Sequence, residues 1–113
     1  MPRYLISFDD GWMDHIPLDE FPIVGEASHS VVREAKAAGI WIFGCGLWRQ
    51  QATIVDIDGT VTPGPVPETK AIVGCFSNIV VPTHEEAVQW AVKMASACRC
   101  SQEVREIIYD PES

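Results

Sequence analysis

Basic residues are scarce in this chain: eight Lys and Arg stand against sixteen Asp and Glu, a net charge of −8 over 113 residues. That balance repels phosphate backbones and anionic membrane surfaces, and no cluster of bases reverses it locally, so nucleic acid is excluded as an expected partner. An apolar run of about 18 residues, the length that spans a bilayer, is also missing. Met1-Pro2-Arg3-Tyr4 leads directly into a strand-like segment without a signal-peptide layout. No membrane partner is therefore expected, and the expected compartment is the cytoplasm. Cysteine is limited to Cys45, Cys75, Cys98 and Cys100, with no Cys-x-x-Cys pair. This is neither a zinc pattern nor a secreted disulfide framework, and the expectation is reduced, mostly buried thiols. Nor do Asp9, Asp10, Asp14, Asp19 and Glu20 follow the Asp-x-Asp-x-Asp-Gly pattern of a cation loop. No metal and no cofactor are expected.

The residues present are those of an ordinary globular protein, 47% hydrophobic and 21% charged. A chain of this length forms one domain, residues 1–113, and buries roughly 65% of the surface its unfolded form exposes. Arg3 to Phe8 is a β-branched and aromatic stretch that stops at Asp9-Asp10-Gly11, the mark of a strand ending in a turn. Gly11 to Pro22 has no period and reads as an acidic loop. From Pro22 or Gly25 onward, Val24, Ala27, Val31, Ala35 and Ala38 share one helical stripe, with Gly39 as its stop. His29 lies nearly opposite that stripe and is expected in solvent, with a catalytic role as its weaker alternative.

Ile40 to Trp48 is too short and bulky for a second helix and reads as a strand. Gly44 and Gly46 fall on one of its faces, where absent side chains predict close packing or an opening. Ala52 to Thr62 has the form of a hairpin around Asp58-Gly59, the dipeptide that two-residue type I′ turns prefer. Ile72 to Val81 is a long strand closed by Pro82. Thr83-His84-Glu85-Glu86 is a capping box opening a helix whose apolar stripe is Ala87, Val88, Ala91, Met94 and Ala95. Glu103 to Tyr109 is the last strand.

Between hairpin and long strand, Thr62 to Phe76 carries three of the eight prolines and a Glu68-Thr69-Lys70 triplet. Prolines fix φ and glycines permit positive φ, so a shaped loop is expected to deliver the triplet at a defined place. Glu68 and Lys70 are candidate proton-transfer or binding groups, because a carboxylate beside an ammonium can hold a polar substrate or tune its acid–base chemistry. The plainer reading is a structural ion pair. Asp9, at the end of the first strand, is the next candidate acid.

Without the hairpin the order is βαββαβ, a ferredoxin-like α+β arrangement in which both helices cover one face of an antiparallel sheet. The other face then needs a cover. Bulky residues on alternate strand positions predict an apolar patch there and, by symmetry, a twofold homodimer.

The segment Gly64-Pro65-x-x-Glu68-Thr69-Lys70-x-x-x-Gly74-x-Phe76 resembles the YCII-related family, in particular its DGPF branch. Val81-Pro82-Thr83-x-Glu85-Glu86-Ala87-x-x-Trp90-Ala91 and Glu103-Val104-Arg105 extend the likeness over nearly the whole chain. The resemblance implies a dimeric α+β barrel, two ferredoxin-like protomers packed sheet to sheet with a cleft in each. The four residues that name the branch read Pro63-Gly64-Pro65-Val66 here, and Ala71 and Cys75 stand where the family has glutamate and glycine. The His–Asp pair of the founding members is not carried over: its histidine position falls at Ser28, and Met94 to Cys100 offers no aspartate. Two functions follow as expectations. In one, a small polar or aromatic molecule is bound or transformed in an apolar cleft lined by Thr69, Trp41, Phe43 and Phe76. In the other, the chain is a non-catalytic dimeric structural or protein-interaction module.

Overall fold

A computed structural model describes residues 1–47, 52–64 and 73–112. Its elements run β1 (Arg3–Asp9), a short 3₁₀ helix (Leu18–Glu20), α1 (Phe21–Ala37), β2 (Trp41–Gly46), β3 (Thr53–Val55), β4 (Val61–Pro63), β5 (Val73–Val80), α2 (His84–Cys98) and β6 (Glu103–Glu106). Four strands form an antiparallel sheet in the order β2-β5-β1-β6, and β3 and β4 form a separate two-stranded sheet. This is a mixed α+β architecture with two helices on one antiparallel sheet.

Local chemistry accounts for both helices. Pro22 occupies the first turn of α1, where its missing N–H has no helical partner to lose. Gly39, at φ +73°, ends the helix in the left-handed region that glycine enters without a steric cost. At the start of α2 the Thr83 hydroxyl accepts the Glu86 N–H at 3.2 Å, one half of the expected capping box. Ala87, Ala91, Met94 and Cys98 form its buried stripe, while Val88 lies outside it. Small residues there let α2 approach the sheet, and Ala87 and Ala91 pack with Tyr4, Ile6, Ile79 and Val81 as the core. Lys93 pairs with Glu34 to join the two helices, and Arg99 reaches Glu20 at 2.7 Å to hold the 3₁₀ turn against the end of α2.

Strand register decides which side chains meet the helices. Tyr4 pairs with Ile79, Ile6 with Ser77 and Phe8 with Cys75, so these residues share the helix-covered face. Leu5, Ser7, Phe76 and Asn78 take the opposite face. On β2 the alternation is broken: Trp41 pairs with Ile79 but Phe43 pairs with Asn78, leaving Ile42 as the extra residue of a bulge. Trp41 and Phe43, expected on the same face, are therefore on opposite ones. The hairpin also differs from expectation in its turn. Val55 pairs with Val61, and among the residues between them Gly59 alone has positive φ, +87°, whereas a type I′ turn needs two such residues. The Asp58 carboxylate accepts the Thr60 N–H at 2.9 Å, which holds its carboxyl below the usual range and closes a longer turn.

Candidate functional site

A cavity of about 630 Å³ opens between α1 and the helix-covered face of β1, β5 and β2. It falls within the roughly 300–1,000 Å³ range of small-molecule sites. Ile6, Phe8, Phe21, Val24, Val32, Trp41 and Met94 supply apolar wall. On the helix side Phe21, Gly25, Ser28, His29, Val32 and Lys36 follow one another at helical spacing, a second stripe turned away from α2. Ser28 returns its hydroxyl to the Gly25 carbonyl at 3.0 Å, satisfying its own donor inside the helix.

Three glycines make the sheet side of the cavity. At Gly44 a Cβ would stand 2.7 Å from the Trp41 ring and 2.8 Å from the Phe76 carbonyl oxygen, so glycine is what lets the indole lie flat along its own strand. At Gly74 a Cβ would meet the Asp10 nitrogen and Cα at 3.0 Å; this glycine lets the chain leaving β1 cross close over β5. Gly46 has only the Gly74 carbonyl oxygen near, at 3.9 Å. Of the two outcomes expected on the Gly44–Gly46 face, close packing is found at Gly44 and an opening at Gly46.

The crossing at Gly74 directs the loop after β1 over the cavity. Gly11, at φ +91°, turns the chain, and Trp12, Asp14 and Ile16 each return a backbone N–H to a carbonyl three residues back. Buried Ile16 anchors the loop, while Asp10, Gly11, Met13 and Asp14 join the cavity wall. The mouth thus carries carboxylates from the loop and the imidazole and ammonium of His29 and Lys36 from α1. Cys45, Cys75 and Cys98 also border the space, and all four cysteines are free. Burial pushes the Cys75 and Cys98 thiols up to about 11; the Cys98 and then the Cys45 charge add to Cys75, and Cys100 adds to Cys98. Among the described residues no three His, Cys, Asp or Glu side chains are grouped to hold a metal ion.

The structure gathers some of the sequence candidates and separates others. Trp41 and His29 border the cavity, His29 exposed at its rim; Phe76 borders it from β5, but its register turns the side chain to the opposite face, where its ring meets that of Phe43. Phe43 does not border it: its ring stands 5.9 Å from that of Phe76 on the open face, and the side chain is 57% exposed. Asp9 is absent from the wall, where its neighbour Asp10 stands instead. Glu68, Thr69 and Lys70 lie outside the described residues. Sequence reasoning passed over Gly25, Lys36, Met13 and Asp14, although the second stripe of α1 can be read from its spacing once a cavity is allowed for.

No protein-family model and no curated protein matches the chain. Among solved structures it is similar to the 5-chloro-2-hydroxyhydroquinone dehydrochlorinase TftG from Burkholderia phenoliruptrix AC1100, in complex with 2,5-dihydroxybenzoquinone. The likeness covers 99% of this chain and 98% of that one at 13% identity and a TM-score of 0.53. At that identity it shows a shared α+β fold. No helix among the described residues is long and apolar enough to cross a membrane.

Proposed function

We propose that residues 1–113 form one ferredoxin-like protomer of a dimeric α+β barrel of the YCII-related kind, which binds and transforms a small polar aromatic molecule in the cavity under α1. The observation that carries this reading is the cavity: about 630 Å³, walled mainly by apolar and aromatic side chains, with a few charged groups gathered at its mouth. An apolar interior gives a ring its binding energy, and the rim orients the ring's hydroxyl or carboxyl substituent. His29 is the rim group suited to moving a proton, since imidazole both accepts and donates one. Support from outside the chain is the similar fold of TftG, whose structure holds a dihydroxybenzoquinone.

The test is a thermal-shift series with 2,5-dihydroxybenzoquinone, hydroquinone and 4-hydroxybenzoate. A ligand at about 100 times its Kd adds about 2.7 kcal/mol of stability, which raises Tm by about 10 °C in a domain of this size. His29→Ala should retain most of that shift, which the apolar interior supplies, and slow any turnover of the bound ring. A wild type unmoved by all three compounds overturns the reading.

A second reading, a non-catalytic dimeric interaction module, draws on the open sheet face. There Phe43 is exposed beside the half-buried Phe76 ring, and Asn78 Oδ1 is shielded from solvent without a hydrogen-bond partner among the described residues. Both readings include a homodimer, and a monomer in light scattering would remove it from each.

A further inference from the structure

Glycine costs stability in the interior of a helix or strand, because it loses more backbone freedom on folding than any other residue. Its presence there calls for a reason, and the chain supplies different ones at different sites. Gly74 is needed by the backbone crossing at Asp10, and Gly44 by the Trp41 ring. Gly39, Gly11 and Gly59 are needed for positive φ. Two glycines have neither reason. Gly25 sits within α1, and a methyl carbon added to it would have nothing within 4 Å among the described residues; Gly46 closes β2, and a methyl there would make one ordinary contact among them, at 3.9 Å. Neither has positive φ. Both border the same cavity, one from its helix wall and one from its sheet wall.

We infer that Gly25 and Gly46 hold open a slot for a flat, unbranched aromatic ring, the ring lying against main chain on both sides, and that they set the width of substituent the cavity admits. The inference rests on the cavity being a ligand site, and it names the residues that decide which ligand. Trp41, laid along Gly44, forms the end wall of the slot, so the ring meets an indole there, main chain at Gly25 and Gly46, and the apolar side chains of the cavity wall between them. Ser28 and His29, one turn beyond Gly25 on the same stripe, face the polar substituent at the rim.

The expected signature is a pair of effects of opposite sign. Gly25→Ala and Gly46→Ala should each raise the Tm of the unliganded protein or leave it unchanged, since the methyl meets no crowding atom and the unfolded chain loses freedom. Each should weaken binding of hydroquinone and 4-hydroxybenzoate about tenfold or more in calorimetric titration, because a methyl group is added where the ring must pass. Gly74→Ala is the contrast and should lower the unliganded Tm. Unweakened binding in both alanine variants overturns the slot and leaves the cavity reading standing. A wild type that binds neither compound overturns both. An unliganded Tm that falls in Gly25→Ala and Gly46→Ala as in Gly74→Ala shows that these glycines serve the fold, and the slot is likewise overturned.

Discussion

The two faces of the four-stranded sheet differ in what they lack. The helix-covered face buries Tyr4, Ile6 and Ile79 to 3% exposure or less and is interrupted only where glycines withdraw side chains beside α1. Its incompleteness is a concavity. On the other face no helix among the described residues packs: Phe43 is more than half exposed, while beside it the Asn78 side-chain Oδ1 is shielded from solvent with no hydrogen-bond partner among the described residues. Its incompleteness is a surface. A concavity suits a small molecule and a surface suits another protein, so one sheet carries two unfilled requirements of different size.

The strongest way to break this contrast is to show that the covered face is not the core. Ile79 is central to it and 1% exposed, packed with Tyr4, Ile6 and Ala87. Ile79→Ala should cost about 2–5 kcal/mol through lost burial and the cavity left behind. Urea unfolding measures it, and a loss below about 1 kcal/mol would mean that the site collapses freely and that the two faces are not distinct in packing.

The open face is tested by association. Phe43→Lys places an ammonium on the Phe43–Phe76 pair, a change that a solvated face tolerates and a twofold interface does not, because the symmetry buries the charge twice. The dissociation constant of the proposed homodimer should rise at least tenfold, about 1.4 kcal/mol. Analytical ultracentrifugation reads this directly. An unchanged constant would leave Phe43 on a solvated face, and an unliganded Tm that falls as far as in Ile79→Ala would move it to the core.

Much of the covered face was legible in the residues. Thr83 and Glu86 announce α2, Gly39 ends α1, and the Gly44–Gly46 alternation points to an opening, because each of these signals is local and acts through one turn of backbone. The division between faces was not legible on β2. Alternation assigns Trp41 and Phe43 to the same side, and the bulge at Ile42 that parts them arises from pairing with β5, a partner distant in sequence. His29 shows a related limit. A hydrophobic stripe marks the face of α1 that packs, through Val24 and Ala35, whereas the face over a cavity needs no apolar residue at its rim. The loop over the mouth has no period at all; it is positioned by Gly74, on a strand far along the chain.

The smallest effect sharpens the contrast from inside the covered face, through its thiols. Cys75 and Cys98 come from β5 and α2 and border the cavity, where burial first and neighbouring charges second push both thiols up to about 11. In the unfolded chain a thiol releases its proton near about 8.5. Between those values the unfolded state binds fewer protons than the native state, so stability falls as pH rises. The contribution is fully present below about pH 8 and lost as pH passes through about 11. Allowing for partial solvent access, each thiol should contribute about 1 kcal/mol to this loss. Urea unfolding at about pH 8 and about pH 10.5, either side of most of that window, measures it. The drop between the two should shrink in Cys75→Ser and Cys98→Ser, because a hydroxyl does not titrate in this range. Equal drops in wild type and variants would mean that water reaches these thiols freely, and the cavity wall at Cys75 and Cys98 would then be as open as the far side of the sheet.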